Sequence, residues 1–394
     1  MKKISLRCAV ALLLLTACVE TPKEENLLAE HLQEVKAKFA PDKRVALFEV
    51  TAKLKGDLVV LKGESNLPDA VTALKEKLNG ENLAFIDSIQ LLPSQEVQGK
   101  TNGLINNSVS NLRSNPKHSA ELATQATLGT PVQIYKREGD WYYVQTPDKY
   151  LSWVDNGGII SLSDEEHNSW KSAEKIIYTK TYGHSYTEPD ARSQVVTDLV
   201  AGGVLEFLNE QNDYYAVKYP DGRIGYVSKN ESQPYEQWIA AMNATGESLI
   251  ATSKTLVGVP YLWGGTSTKG MDCSGFTKTI YFLNGMVIPR DASQQVHTGK
   301  QIDEHKNFAH LEKGDLLFFG RKATDSTKEK VVHVGMWIGN NEFIHASNQV
   351  RVSSMDSKAE NFDEYNLNRY LRSKRILREK DKDLIDLKRT PLFK

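Results

Sequence analysis

The sequence predicts an α+β chain of several domains, and three observations predict it. An aromatic, glycine-rich run, Tyr261-Leu262-Trp263-Gly264-Gly265, leads into Met271-Asp272-Cys273-Ser274-Gly275, a helical stretch and then alternating strands to about residue 375. Ahead of it, a pattern of short strands occurs twice, with Val132 recurring as Leu205, an offset of 73 residues. Ahead of that, residues 31–93 alternate helical and strand periodicity on a small scale.

The 394 residues allow two to four domains, and 25% charged with 40% hydrophobic residues is the balance of an ordinary soluble protein. The N-terminus differs. Lys2, Lys3 and Arg7 precede the apolar run Ala9–Leu15, too short to span a membrane, and Leu15-Thr16-Ala17-Cys18 resembles a bacterial lipobox. The resemblance implies a signal peptide over 1–17, cleavage before Cys18, acylation of its thiol and a lipid-anchored place in the cell envelope. Loss of 1–17 lowers the basic residues from 49 to 46 against 50 acidic, a net charge of −4. That balance argues against nucleic acid as a partner. Of the three cysteines, Cys8 leaves with the signal and Cys18 takes lipid, so Cys273 stands without a disulfide partner.

Residues 18–30 read as a polar tether. His31–Phe39 and Asp69–Leu78 have helical spacing; Val45–Val50, Leu58–Leu61 and Phe85–Leu91 read as strands. No catalytic constellation occurs over 31–93, and a spacer is expected there. Residues 94–110, rich in Ser, Asn, Gln and Gly, form a linker.

The repeat then matches Ile134 to Phe207, Asp140-Trp141 to Asp213-Tyr214, Val144 to Val217, Pro147-Asp148 to Pro220-Asp221 and Trp153-Val154 to Tyr226-Val227. Strands this short, with turns this close, suggest a small barrel. The pattern resembles bacterial SH3 domains, placed at 103–162 and 163–231, with Trp141, Trp153 and Tyr226 expected to fill the barrel cores. Residues 232–250 read as a linking helix into a last domain over 232–375, and 376–394 as a charged surface tail.

In the last domain, Phe276, Ile280 and Leu283 mark the apolar face of a helix, so Cys273 falls at its start with Asp272 as cap. First-turn N–H groups favour a thiolate, which predicts a lowered thiol pKa and a nucleophile. Leu316–Phe319 reads as a buried strand. In Val331–Ile338, alternation sets Val332, Val334, Met336 and Ile338 on one face and His333 with Gly335 on the other. A hairpin through Gly339-Asn340-Asn341 brings Glu342–Ala346 alongside, so that His333 and His345 can be neighbours. The order Cys, His, orienting residue is that of a papain-like thiol hydrolase: His333 takes the thiol proton, and His345 holds its ring in the working tautomer. A metal site needs a third ligand at suitable spacing, and none is evident; no cofactor is expected.

Tyr-Leu-Trp-Gly-Gly (261–265), Asp-Cys-Ser-Gly-Phe (272–276), Pro-Arg-Asp-Ala-Ser-Gln-Gln (289–295), Gly-Asp-Leu-Leu-Phe-Phe (314–319), His-Val-Gly (333–335) and Phe-Ile-His-Ala (343–346) occur together and in order. They resemble the NlpC/P60 family of cysteine peptidases and, behind two SH3-like modules, its YkfC-like γ-D-glutamyl-L-diamino acid endopeptidases. The resemblance spans about 105–375. It implies a papain-like catalytic domain with Cys273, His333 and His345 as triad, and murein stem peptides with a free N-terminal L-Ala as substrate. It further implies that Tyr261 helps hold the oxyanion, that Asp272 and Ser274 bind the L-Ala ammonium, and that Trp263 and Ser293 line the pocket. Glu121 and Tyr150, from the first barrel, would close its amine end. The alternatives are a wall-binding scaffold with a silent catalytic domain, or a γ-glutamyl amide hydrolase acting on another substrate.

Overall fold

A computed structural model of the chain describes residues 23–394. The leader with Cys8 and the lipobox cysteine Cys18 lie outside the described residues. The described chain divides into two units, the first made of residues to Pro41 with Phe48–Leu91, the second of Asp42–Leu47 with Leu92–Lys394.

In the first unit, strands Phe48–Lys55 and Leu58–Ser65 form an antiparallel hairpin, and helix Pro68–Gly80 carries the chain over to Phe85–Leu91, which pairs parallel to the middle strand. Ala70, Val71, Leu74 and Leu78 recur at helical spacing and are buried. Two expectations change here. Part of the expected tether is helix, since Lys23–Phe39 is continuous and Leu28 is buried. The first strand starts at Phe48 rather than Val45, because residues 42–47 belong to the second unit, where the Leu151 N–H donates to the Arg44 carbonyl at 2.7 Å.

The repeat is visible in the strands of the second unit. Pro131–Glu138, Trp141–Gln145 and Leu151–Asp155 of the first barrel correspond to Val204–Gln211, Tyr214–Lys218 and Ile224–Ser228 of the second, each pair at the 73-residue offset. Even the bulge recurs, between Ile134 and Lys136 and between Phe207 and Asn209. Each module is a seven-stranded sheet. The first core is aliphatic, with Leu112, Ile134, Val144 and Val154. Trp141 and Trp153 are buried outside that core, Trp153 between Tyr143 and Lys136 and Trp141 beside His118; Tyr226 is half-buried. Between the modules lies helix Asp164–Ser172, begun by a Ser163–Glu166 capping box. The link to the last domain is two helices, Tyr235–Ala241 and Gly246–Lys254, with a new start capped by Thr245.

The last domain is an antiparallel six-stranded sheet in the order Lys300–Asp303, Tyr370–Arg375, Leu316–Arg321, Lys330–Gly339, Glu342–Ser347, Gln349–Ser354. The mixed α+β class expected from sequence is thus the one observed. Leu316 and Phe318 pack with the helix Cys273–Phe282, while Leu317 and Phe319 pack on the other face with Trp337 and Phe343. A sheet covered on both faces explains the unbroken apolar run Leu316–Phe319.

The C-terminal segment is not a surface tail. Ile385–Asp386 pairs with Met286–Val287, and Leu387 and Phe393 are buried. The Phe393 ring meets Trp170, Tyr235 and Phe282, joining the helix between the barrels to the nucleophile helix. The charged residues mark the solvent side of this strap. Truncating Phe393 to Ala should cost about 3–5 kcal/mol in denaturant unfolding; a loss below about 1 kcal/mol would mean that the strap contributes little.

Candidate active site

Cys273 is the first residue of its helix because Asp272 caps it: the Gly275 N–H donates to Asp272 Oδ1 at 2.7 Å. Gly275 must be glycine, since a Cβ there would lie 1.9 Å from the Gly265 carbonyl oxygen. The Tyr-Leu-Trp-Gly-Gly loop is thereby held against the first turn.

Asp272 does more than cap. Arg290, wholly buried, donates to Oδ1 at 3.1 Å and to Oδ2 at 2.6 Å. The Gly264 N–H takes Oδ2 at 3.0 Å, and Ser274 Oγ donates to Oδ1 at 3.2 Å while accepting from Arg290 at 3.0 Å. The protein's own donors take up both carboxylate oxygens and compensate the charge, and this network fixes the first turn on which Cys273 stands. Arg290 also donates to Thr124 Oγ1 of the first barrel at 3.0 Å.

The thiol pKa expectation is also corrected. Burial pushes it up to about 12, the Asp272 carboxylate adds to this, and the Val334 and Ser274 N–H groups and Arg290 oppose without reversing it. Cys273 is 7% exposed and packs among Phe276, Val334, Met336 and Ile344. The Val334 N–H at the sulfur places it one peptide bond from the His333 backbone. Among the described residues no hydrogen bond joins the sulfur to the His333 ring; such contacts commonly tighten only with substrate in place.

His333 and His345 do come together, Nε2 to Nδ1 at 2.8 Å. Met336 pairs with Ile344, and the same register sets Gly335 across from His345. A Cβ on Gly335 would lie 3.2 Å from His345 Cβ and 2.7 Å from the Phe343 ring, so glycine lets the second imidazole approach. The hairpin turn uses positive φ at Gly339, Asn340 and Asn341. Val332, set by alternation on the face of Val334 and Met336, is exposed where those two are buried. His345 Nε2 lies 3.1 Å from Ser353 Oγ, a partner that sequence reasoning did not find. A lone pair on His333 Nδ1 requires its proton on Nε2, donated to His345 Nδ1; His345 then donates from Nε2 to Ser353. Burial holds His333 well below the ordinary histidine pKa, with His345 and Arg369 adding to the effect. His345 falls to about 3 through burial and the nearby Arg351 and Arg369. At neutral pH the resting site is therefore a neutral thiol beside two neutral imidazoles.

The remaining residues fall into separate contacts. Tyr261 is half-buried near Cys273, and burial, with the Asp272 carboxylate adding to it, keeps its phenol protonated. Trp263, 63% exposed, donates from Nε1 to Glu121 Oε1 at 2.7 Å, joining the two across the barrel boundary. Tyr150 donates to Asp291 Oδ2 at 3.0 Å. Ser293 Oγ accepts from Arg44 at 2.9 Å, and the same nitrogen reaches Asp291 at 2.6 Å. Arg44, Arg290 and Asp291 were not singled out from sequence: Pro289–Gln295 was legible as a motif, but nothing local marks the partner of each charge.

Residues 258–366 match the family model described as NlpC/P60 family. Residues 112–159 match the bacterial dipeptidyl-peptidase Sh3 domain, and 186–233 the bacterial SH3 domain. A gamma-D-glutamyl-L-lysine dipeptidyl-peptidase of Bacillus cereus is 33% identical over 234 residues, 57% of this chain and 67% of that protein. Dipeptidyl-peptidase 6 of Lysinibacillus sphaericus is 30% identical over 266 residues, 65% of this chain and 93% of that protein. The crystal structure of an NlpC/P60 family protein from Bacillus cereus superposes with a TM-score of 0.59 at 27% identity, over 70% of this chain and 99% of that one.

Gly335→Ala tests the histidine geometry. Displacing His345 by a few tenths of an ångström to 1 Å should lower kcat by about 100-fold. Unchanged kcat in a folded variant would show that the close approach at Gly335 does not matter.

Proposed function

The chain belongs to the NlpC/P60 family of cysteine peptidases, and from that premise we propose that it hydrolyses the γ-D-glutamyl–diamino acid bond of murein stem peptides with a free N-terminal L-Ala. The observation that carries this is the His333–His345 pair beside a helix-capped cysteine. His333 Nδ1 takes the thiol proton as the sulfur attacks the γ-carbonyl carbon, so the thiolate forms only in the step that uses it. The Cys273 N–H and the protonated Tyr261 hydroxyl face the developing oxyanion. His333 then passes its proton to the departing amine, and water, activated by the same ring, releases the acyl group.

The L-Ala end falls where the first barrel meets the catalytic domain. Glu121 supplies a carboxylate there, fixed by Trp263, and Tyr150 is held beside it through Asp291. A barrel wall at that end excludes a sugar-linked lactyl group by shape, the basis of free-amine specificity in this reading. Before the described residues, Lys2, Lys3, Arg7 and the lipobox around Cys18 support export and lipid anchoring in the cell envelope, on the periplasmic face or the cell surface.

Cys273→Ala should abolish cleavage of L-Ala-γ-D-Glu-diamino acid peptides, and N-acetylation of the peptide should slow the wild type by about 100-fold, the scale of a lost buried charge contact. Retained activity in the variant rejects the nucleophile, and equal rates on both peptides reject the amine pocket. For the anchor, palmitate labelling in cells should be lost in Cys18→Ser; labelling that persists removes that part of the reading.

A further inference from the structure

Beside His333 lies a second cavity, of about 350 Å3, lined by Tyr261, Arg351, Asp363, Tyr365 and Arg369. Arg44, Arg290, Arg372 and Arg375 each meet a carboxylate. Among the described residues, neither Arg351 nor Arg369 has one within ion-pairing distance. Arg369 is oriented without being neutralised: Nε donates to Asn366 Oδ1 at 3.0 Å, and the guanidinium sits 4.2 Å from the centre of the Tyr365 ring. Arg351 stands on the last strand, directly paired in register with His345. Asp363 is fixed by the Asn366 N–H at 2.9 Å and the Asn366 side-chain amide at 2.7 Å. Two guanidinium groups and one carboxylate thus converge on a space that the proposed general acid also lines.

That position says which part of a substrate enters. His333 must reach the departing nitrogen, so a cavity lined by His333 receives the leaving residue rather than the acyl half. A leaving lysine ends in an ammonium group alone. A leaving diaminopimelate ends in an ammonium and a carboxylate on one carbon. The first would face two uncompensated guanidinium groups; the second offers them a carboxylate and offers Asp363 an ammonium. Arg369 depresses both histidines and Arg351 depresses His345, so a carboxylate seated between the two guanidinium groups offsets that effect on His333 when substrate is bound.

Resting on the hydrolytic reading above, we propose that Arg351 and Arg369, with Asp363, bind the zwitterionic side-chain head of a diaminopimelate leaving residue and so favour it over lysine. The test measures kcat/KM for L-Ala-γ-D-Glu-meso-diaminopimelate and L-Ala-γ-D-Glu-L-Lys, each as free acid and as C-terminal amide. It uses the wild type, Arg351→Gln and Arg369→Gln; among the described residues no hydrogen bond or ion pair holds the Arg351 side chain, so its variant carries little structural risk. The wild type should prefer the diaminopimelate peptides by about tenfold or more, and each variant should lower that preference about tenfold, whichever C-terminus is present. Preference for lysine, a loss shared equally by both side chains, or a loss that follows the C-terminal carboxyl group overturns the proposal and leaves the hydrolytic reading standing. Cleavage of neither peptide by the wild type overturns both.

Discussion

A buried guanidinium governs this active site. Arg290 holds Asp272 from beneath the nucleophile helix, and Asp272 in turn sets the first turn on which Cys273 stands. The pair does not stop there. Asp291 lies 3.9 Å from Arg290, Arg44 lies 2.6 Å from Asp291, and Asp42 lies 2.7 Å from Arg44, so charges of alternating sign run from the segment 42–47 to the residue before the thiol. Removing one member of a buried pair leaves the other uncompensated, at a cost of about 3–5 kcal/mol. The inner pair, Arg290–Asp272, is the enclosed one, and the outer ones are progressively more open to solvent. The inner pair therefore fixes geometry, while the outer links order the substrate end.

The same carboxylate that fixes the thiol also holds it protonated. Asp272 raises the Cys273 pKa on top of burial, and the Val334 and Ser274 N–H groups and Arg290 oppose without reversing it. Burial likewise holds His333 below the ordinary histidine pKa, so both shifts favour the neutral thiol and imidazole over a preformed thiolate–imidazolium pair. The thiolate, not the thiol, is the reactive form toward bulk oxidants and electrophiles. Reactivity confined to the moment when a carbonyl carbon lies over the sulfur suits a nucleophile nearly closed off from solvent.

What the sequence reveals follows from how locally each feature is encoded. The barrels were legible because strand alternation and turn residues are written in adjacent positions, twice over, down to a shared bulge. The His333–His345 neighbourhood was legible because a short hairpin allows few registers. The pairing of Arg290 with Asp272, or of Arg44 with Asp291, leaves no such mark: the partners are distant in the chain, and each residue alone reads as a surface charge or a cap. The C-terminal segment misled for a related reason. Its composition is that of a solvated tail, and only Leu387 and Phe393, thinly spread among charges, contact the core.

The two barrels descend from one pattern yet serve the site unequally, and the offset shows why. Glu121, Thr124 and Tyr150 of the first copy reach Trp263, Arg290 and Asp291. Their counterparts 73 residues on are Gln194, Thr197 and Arg223. Arg223 replaces a tyrosine that donates to a carboxylate, and it spends its charge on Asp221 within its own turn. Gln194 cannot offer an ammonium a negative charge. At these aligned positions only the first module carries the side chains that an amine-binding wall needs, while the second meets the catalytic domain through the Asp198–Lys269 ion pair, the Thr268 hydroxyl donating to the Thr181 carbonyl, and Gly202 close against Phe282.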